Sequence, residues 1–328
     1  MRANDDRLII ITGGAGFIGS AAIRYLNNRG VKNLVIIDDL GSDEKWKNLV
    51  GKSFKEIVPI VCCFDWLKGR EKEISAFLHL GACSSTIEKN ADFLLENNTK
   101  FSIKLAEYAL EHNHRFVYAS SAATYGDGAK GFSDNHEFLD GLEPLNMYGY
   151  SKHLFDLWAK STGALSKIVG LKFFNVFGPN ESHKGRMASA IHHIFPVARS
   201  EGVIHLFKSN DPEHYVDGGQ CRDFIYVKDA VRMAVAFLDN EAVGIFNIGT
   251  SKAGTWNEVA ASVFKALEKP ENIQYIPMPE DLMGKYQNYT RADMSKTAGV
   301  LGQEAFCDTL ENSIIDYVRN YLIPEKRW

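Results

Sequence analysis

Apolar runs with little polar interruption recur along the chain: Leu8–Ile11, Leu34–Ile37, Ala76–Leu80, Phe116–Ser120, Lys167–Phe174 and Ile245–Thr250. Continuous rather than alternating hydrophobicity marks a strand covered on both faces, as in a parallel sheet. Between the runs the pattern changes to helical spacing. Ile18, Ala22, Ile23 and Leu26 fall on one face, and Gly30 is placed to end that helix. A longer helix is predicted over roughly Ala91 to His112. Others end near Arg199 and Asn240, span Thr255 to Leu267, and close the chain as an amphipathic stretch at about Thr309 to Tyr321. Strands alternating with helices predict an α/β fold built on a doubly wound parallel sheet.

The first strand-to-helix junction reads Thr12-Gly13-Gly14-Ala15-Gly16-Phe17-Ile18-Gly19. Gly13, Gly16 and Gly19 permit a tight turn and let a pyrophosphate approach the helix N-terminus. The second strand ends in Asp38 and Asp39, about 20 residues on, where an acid contacts the adenosine ribose. The strand, turn, helix and acid come in the order of a Rossmann-type dinucleotide site. The acidic pair favours a free 2′-hydroxyl, hence NAD. Lys45 and Lys47, close downstream, suit a 2′-phosphate, hence NADP. The third strand runs into Leu80, Gly81, Ala82, Cys83 and Ser84, small residues that let backbone lie against a cofactor. Cys83 reads as a packing residue, since nothing nearby in sequence would activate its thiol. In the helix that follows, an amide from Asn97 or Asn98 is placed to face the nicotinamide side.

Ser121 lies just past the next strand. Tyr148 and Lys152 are spaced i, i+4 and share a helix face. A phenol titrates near pKa ~10, and a neighbouring ammonium favours its ionised form. The predicted use is proton exchange between Tyr148 and a sugar hydroxyl that Ser121 orients. Tyr150, two residues off, faces the other way round the helix.

The second half opens on a Gly- and Pro-marked loop that contains Asn175, Val176, His183, Lys184 and Arg186. From the residues alone, Lys184 reads equally as a phosphate anchor, a second proton carrier or a solvated charge. Arg222 suits a nucleotide diphosphate, because guanidinium binds phosphate oxygens in a bidentate way. The predicted division is a dinucleotide-binding domain over 1–174 plus about 221–250. A smaller, discontinuous α/β substrate domain takes about 175–220 and 251–328.

Composition narrows the classes. The chain has 328 residues, 45% of them hydrophobic, and a net charge of −4. No basic face suggests nucleic acid. The polar start, MRANDDR, is unlike a signal peptide, and no apolar run approaches the ~20 residues of a membrane span. The five cysteines are scattered, so neither a disulfide frame nor a metal site is expected. A cytoplasmic protein without membrane or nucleic-acid partners is the expectation.

Taken together, the glycine turn, the distant acid, Ser121, Tyr148 and Lys152 resemble the extended short-chain dehydrogenase/reductase superfamily. Sugar 4,6-dehydratases of that superfamily carry Asp and Glu after the hydroxyl residue. Ala122 and Ala123 stand there in this chain, which argues against water expulsion. GACSST (81–86), SSAATYG (120–126), NMYGYSK (146–152), FNVFGPNESHKGRMAS (174–189) and KYQNYTRADMS (285–295) are similar to the ADP-glyceromanno-heptose 6-epimerase family. The resemblance implies inversion at C6″ of ADP-D-glycero-β-D-manno-heptose for lipopolysaccharide core synthesis, with bound NADP and a homo-oligomer. It singles out Tyr148 and Lys184 as acid/base residues. It maps cofactor contacts to Phe17, Ile18, Asp38, Asp39, Lys45, Leu80 to Ser84, Asn97, Lys152, Val176 and Lys184. Substrate contacts map to Asn175, Arg186, His193, Phe207, Lys208, Ser209, Asn210, Arg222 and Tyr286. Asp39 stands where NADP-using members carry Asn, and Arg186 where some carry Ser. The alternatives are a UDP-sugar 4-epimerase and, in another class, a non-catalytic sensor of nicotinamide redox state.

Overall fold

The computed structural model describes residues 6–280 and 286–328. The opening residues 1–5 and Lys285 of the last family motif lie outside the described residues. Thirteen strands are described: β1 (Leu8–Thr12), β2 (Leu34–Ile37), β3 (Glu56–Val58), β4 (Ile74–His79), β5 (Arg115–Ser121), β6 (Val169–Phe173), β7 (Asn175–Phe177), β8 (Ile204–Phe207), β9 (Cys221–Arg222), β10 (Phe224–Tyr226), β11 (Gly244–Ile248), β12 (Gly254–Thr255) and β13 (Ile273–Ile276).

Seven of them form one sheet in the order β11-β6-β5-β4-β1-β2-β3. Every pairing in it is parallel. The chain starts in the middle, winds outward to β3, then crosses back to β4 and winds the other way. That reversal between β1 and β4 opens a crevice at the strands' C-terminal ends, where ligands bind in such sheets. The apolar runs predicted as strands all form, displaced by one or two residues at their ends. β3 is an addition from the segment between Gly51 and Leu67, whose short Glu-Ile-Val edge carries little pattern.

Helices cover both faces. Phe17–Asn28 packs on Val227–Ala236 on one side, and the stretch Ala91–Glu111 packs on Met147–Ser161 on the other. The predicted helix over Ala91–His112 is interrupted. Its residues Leu95–Lys100 widen into a π-helix before the α-helix resumes at Phe101. The core is dense with β-branched and aromatic residues, and Ile10, Ile11, Val35, Ile36, Phe77, Phe116 and Val117 are fully buried.

The remaining strands form two-stranded pieces, β7 with β10, β9 with β12 and β8 with β13. Helix Ala190–Ser200 and helix Trp256–Leu267 pack together over β8. Thr255 caps the second of these, in a reciprocal capping box with Glu258. Asp223 ties this region to the sheet. Its buried carboxylate accepts from Thr250 N, Thr250 Oγ1, Ser251 N and Ala292 N, so four donors from two distant segments converge on it.

Candidate active site

The crevice is a cleft of about 780 Å³. One end is built by the glycine turn. Gly13 has φ +67, and a Cβ there would stand 2.6 Å from Gly81 Cα. A Cβ at Gly19 would stand 2.1 Å from Gly13 O. Those two glycines are required by the protein's own packing. Gly16 differs. A Cβ on it would meet only Gly13 O, at 3.1 Å, so the space above Gly16 is open to a group lying against the turn. The helix Phe17–Asn28 starts there without a side-chain cap. Its orphan N–H groups and the open Gly16 form a cradle that fits a dinucleotide pyrophosphate.

Asp38 is nearly buried and doubly engaged. It accepts from Ala15 N at 2.9 Å and from Lys45 Nζ at 2.9 Å. It therefore fixes the glycine turn while its charge is balanced by Lys45 at the cleft edge. Asp39 does something else: it is exposed, and Oδ1 accepts from Ile60 N at 3.0 Å, outside the cleft lining.

Below the turn, a buried chain of hydrogen bonds sets the floor. Ser102 Oγ donates to Asn98 O at 2.6 Å, which leaves it an acceptor for His79 Nε2 at 2.7 Å. His79 Nδ1 then accepts from Thr12 Oγ1 at 2.6 Å, and Thr12 Oγ1 accepts from Gly81 N at 2.9 Å. This assigns His79 as the neutral Nε2–H tautomer. Burial and the nearby Lys152 charge push its pKa down to about 3. The strip Leu80–Ser84 is held from the helix side by Asn98. Its amide accepts from Cys83 N and donates to Cys83 O, both at 2.9 Å, and donates to Ser151 Oγ at 3.0 Å. The π turn at Leu95–Lys100 shifts the helical phase, so Asn98 faces inward while Asn97 lines the cleft and donates to Asn98 Oδ1.

Ser121, Tyr148 and Lys152 line the same cleft. Asn146 caps the helix Met147–Ser161, and Gly149 lets it sit against Ala123 O, where a Cβ would be 2.7 Å away. Burial pushes the Tyr148 phenol above its ordinary value, and a hydrogen bond with Ser121 draws it back down. From sequence, Lys152 is expected to lower the Tyr148 pKa. In the structure the Lys152 amine is instead directed at Ala119 O, to which it donates at 2.9 Å. Its own pKa is pushed down to about 8 by burial, with Asp156 opposing.

Behind this helix sits a fully buried ion pair, Lys172 with Asp156 at 2.8 Å. Asp156 also accepts from Tyr118 Oη at 2.9 Å and Ser120 Oγ at 2.7 Å. This pair is not among the sequence-based expectations. A Lys inside an apolar strand run, Val169–Phe173, was the available signal.

β7 and the loop after it supply another wall. Asn175, Val176, His183 and Lys184 line the cleft. Lys184 Nζ lies 5.6 Å from the centroid of the Phe17 ring. Burial lowers its pKa, and Glu181 opposes the shift. Arg186, expected at the substrate, is exposed and outside the cleft lining, because Gly185 turns the chain at φ +51 between the two residues. His193 is likewise exposed, on the helix Ala190–Ser200.

A second polar cluster adjoins the cleft through Trp256, whose ring meets Phe224 at 5.1 Å and whose N donates to Gln220 O at 3.4 Å. Arg222 lies 5.0 Å over the Tyr286 ring, and burial lowers its pKa. Phe207 to Asn210 lead out of β8 beside it, and Lys208 O accepts from Gln220 Nε2 at 3.5 Å. Among the described residues, Gln220 Oε1 and Asn288 Oδ1 are buried acceptors without a hydrogen-bond partner. Unpaired buried acceptors are costly, and they suit a polar ligand such as a nucleotide base.

Residues 9–249 match the model of the NAD dependent epimerase/dehydratase family. A protein of Nitratidesulfovibrio vulgaris named ADP-L-glycero-D-manno-heptose-6-epimerase is 49% identical over 318 residues, 96% of this chain and 98% of the relative. The chain belongs to this epimerase family. A Fusobacterium nucleatum relative of the same name is 43% identical over 330 residues, 97% of this chain and 99% of the relative. The crystal structure of the Helicobacter pylori ADP-L-glycero-D-manno-heptose-6-epimerase superposes with a TM-score of 0.79 at 28% identity, covering 98% of this chain and 99% of that one. Membership makes the chain an isomerase and gives the convergence of Tyr148, Lys152 and Lys184 on one cleft an enzymatic context. No helix among the described residues is long and apolar enough to cross a membrane.

Proposed function

We propose that the enzyme interconverts the C6″ epimers of ADP-glycero-β-D-manno-heptose, making the L-glycero form for lipopolysaccharide core synthesis. One observation carries the reading beyond the family names: Tyr148 and Lys184, on different elements, line one cleft. Inversion at a carbinol presents its oxygen in two orientations, and proton transfer needs an approach of ~2.6–3.2 Å in each. A carrier on the helix and another on the loop meet that need. When bound, a nicotinamide cofactor supplies reversible hydride acceptance at C6″. Ser121 orients the reacting hydroxyl and lowers the Tyr148 pKa. Lys152, held by Ala119 O, is within the same wall to grip the nicotinamide ribose. Lys184, moved toward neutrality by burial, carries the second proton.

The glycine cradle, Leu80–Ser84, Asn97 and Val176 would hold the dinucleotide. Lys45 beside Asp38 favours NADP, since it offers an ammonium to a 2′-phosphate. NAD is the alternative that the family description and a 26%-identical neighbour solved with UDP-glucose and NAD support. Arg222, Tyr286 and the loop Phe207–Asn210 would take the ADP moiety, in a substrate lobe built from 175–220 and 251–328. We place the enzyme in the cytoplasm as a homo-oligomer, in keeping with a soluble nucleotide-sugar substrate.

The test is to mix purified protein with ADP-D-glycero-β-D-manno-heptose, without added cofactor, and follow the sugar by proton NMR. Growth of the L-glycero epimer is the expected result. Silence after adding NADP and then NAD, with UDP-galactose converted instead, would move the assignment to a 4-epimerase.

A further inference from the structure

Asn48 is fully buried and belongs to none of the groups assigned above. It sits in the short 3-10 helix Glu44–Leu49, just past Lys45. Its amide nitrogen is 3.1 Å from Ala15 O in the glycine turn and 3.1 Å from Asn180 O in the loop that carries Lys184. Its amide oxygen accepts from Arg327 Nε at 3.0 Å. The two amide hydrogens are thus spent on two carbonyls from the two sides of the cleft. His183 Nδ1 lies 3.2 Å from the same nitrogen and 3.0 Å from Asn180 O. With both Asn48 hydrogens committed, His183 is the Nδ1–H tautomer, donating to Asn180 O.

Asn180 is itself an unusual anchor. It holds φ +80, in the left-handed region that favours glycine. Its side chain compensates by accepting from Trp328 N at 2.8 Å and donating to Trp328 O at 3.1 Å and Ser20 Oγ at 3.0 Å. Next to it, Glu181 closes the loop on itself. It accepts from Gly178 N at one end and from Ser189 N and Oγ at the other. Lys184 N then donates to Glu181 O at 2.9 Å. The loop is therefore closed internally by Glu181 and tied externally to the cofactor turn through Asn48 and Asn180.

We propose that Asn48 is a positioning residue that joins the glycine turn to the Lys184 loop, so that dinucleotide binding and placement of the Lys184 amine reinforce each other. A ligand that orders Ala15 orders Asn48, and Asn48 orders Asn180 four residues before Lys184. Coupling of this kind is reciprocal: what the loop gains from the cofactor, the cofactor gains from the loop. The value of Lys184 placement rests on its proposed role as proton carrier. The joint itself does not.

The test is hydrogen–deuterium exchange of the full-length protein with and without NADP, and separately NAD, in wild type, Asn48→Ala and Arg327→Met. In wild type, NADP or NAD is expected to slow exchange over residues 182–188. In Asn48→Ala that slowing disappears while β1 and β4–β6 stay protected, dinucleotide affinity falls about tenfold, and kcat falls about tenfold with KM within about twofold. Arg327→Met removes one half-exposed arm and gives a smaller loss in the same segment, which decides the matter if Asn48→Ala fails to fold. Cofactor-dependent slowing over 182–188 that persists in both variants would overturn the joint. Loss of the slowing with unchanged turnover would uphold the joint and overturn the role given to Lys184.

Discussion

The two proposed proton carriers stand in contrasting settings. Tyr148 rides on a 15-residue helix, capped by Asn146 and pressed through Gly149 on the turn that follows β5. Its place follows from regular structure, and the buried Asp156–Lys172 pair locks that structure from behind. Lys184 sits in an irregular six-residue turn that contains Gly185 at φ +51. Its place depends on polar groups from remote parts of the chain: the Asn48 and Ser20 side chains and the Trp328 backbone around Asn180, with Glu181 inside the loop. One wall is fixed by helix and sheet, the other by polar contacts that a bound group can strengthen. That difference suits the proposed mechanism, in which the substrate turns between two orientations. A fixed wall keeps the hydride geometry, and an adjustable wall admits the second one.

The largest expected effect comes from behind the fixed wall. Asp156→Ala leaves Lys172 charged, fully buried and unpaired, so it is expected to cost about 3–5 kcal/mol of stability, read as a lower urea midpoint. An unchanged midpoint would mean that the helix wall does not depend on the pair. The cradle gives a smaller effect. Gly16→Ala meets only one backbone oxygen, at 3.1 Å, so the fold is expected to persist while dinucleotide affinity, titrated on cofactor-stripped protein, falls about tenfold or more. Equal affinity would place the pyrophosphate elsewhere.

The smallest effect is on pH dependence. The folded pKa of Lys152 is near 8, below its ordinary 10.5, so the folded state releases this proton first. The unfolded chain then binds more protons between those values, and this group's contribution to stability rises with pH through that window. Activity is expected to run the other way, since the ammonium proposed to grip the ribose is lost above about 8. Lys152→Arg keeps its charge, so the alkaline limb of kcat/KM is expected to move upward, at a lower maximal rate. A limb that stays in place would assign it to another group.

The fixed wall was legible in the sequence and much of the adjustable wall was not. Buried parallel strands write continuous apolar runs, and a helix writes Tyr148 and Lys152 four apart, so fold, cleft and that pair followed from pattern. Lys184 was legible from the residues with three roles open, and only family resemblance singled out proton transfer. Asn48, Asn180 and Trp328 make hydrogen bonds across 132 to 148 residues, and no local pattern records such pairs. The π turn is a similar case. Nothing in Leu-Glu-Asn-Asn-Thr-Lys announces the phase shift that turns Asn98 inward and leaves Asn97 at the cleft. Arg186 was misplaced for the same reason, because one glycine reversal decides whether it faces the site or solvent.

The two-carrier account is tested most directly by Lys184→Met. Purified, cofactor-loaded variant would be given ADP-D-glycero-β-D-manno-heptose and followed by proton NMR beside wild type. The account predicts retained cofactor and epimerisation reduced at least about 100-fold. Near-normal turnover with cofactor bound would contradict it and leave Tyr148 as the sole proton carrier.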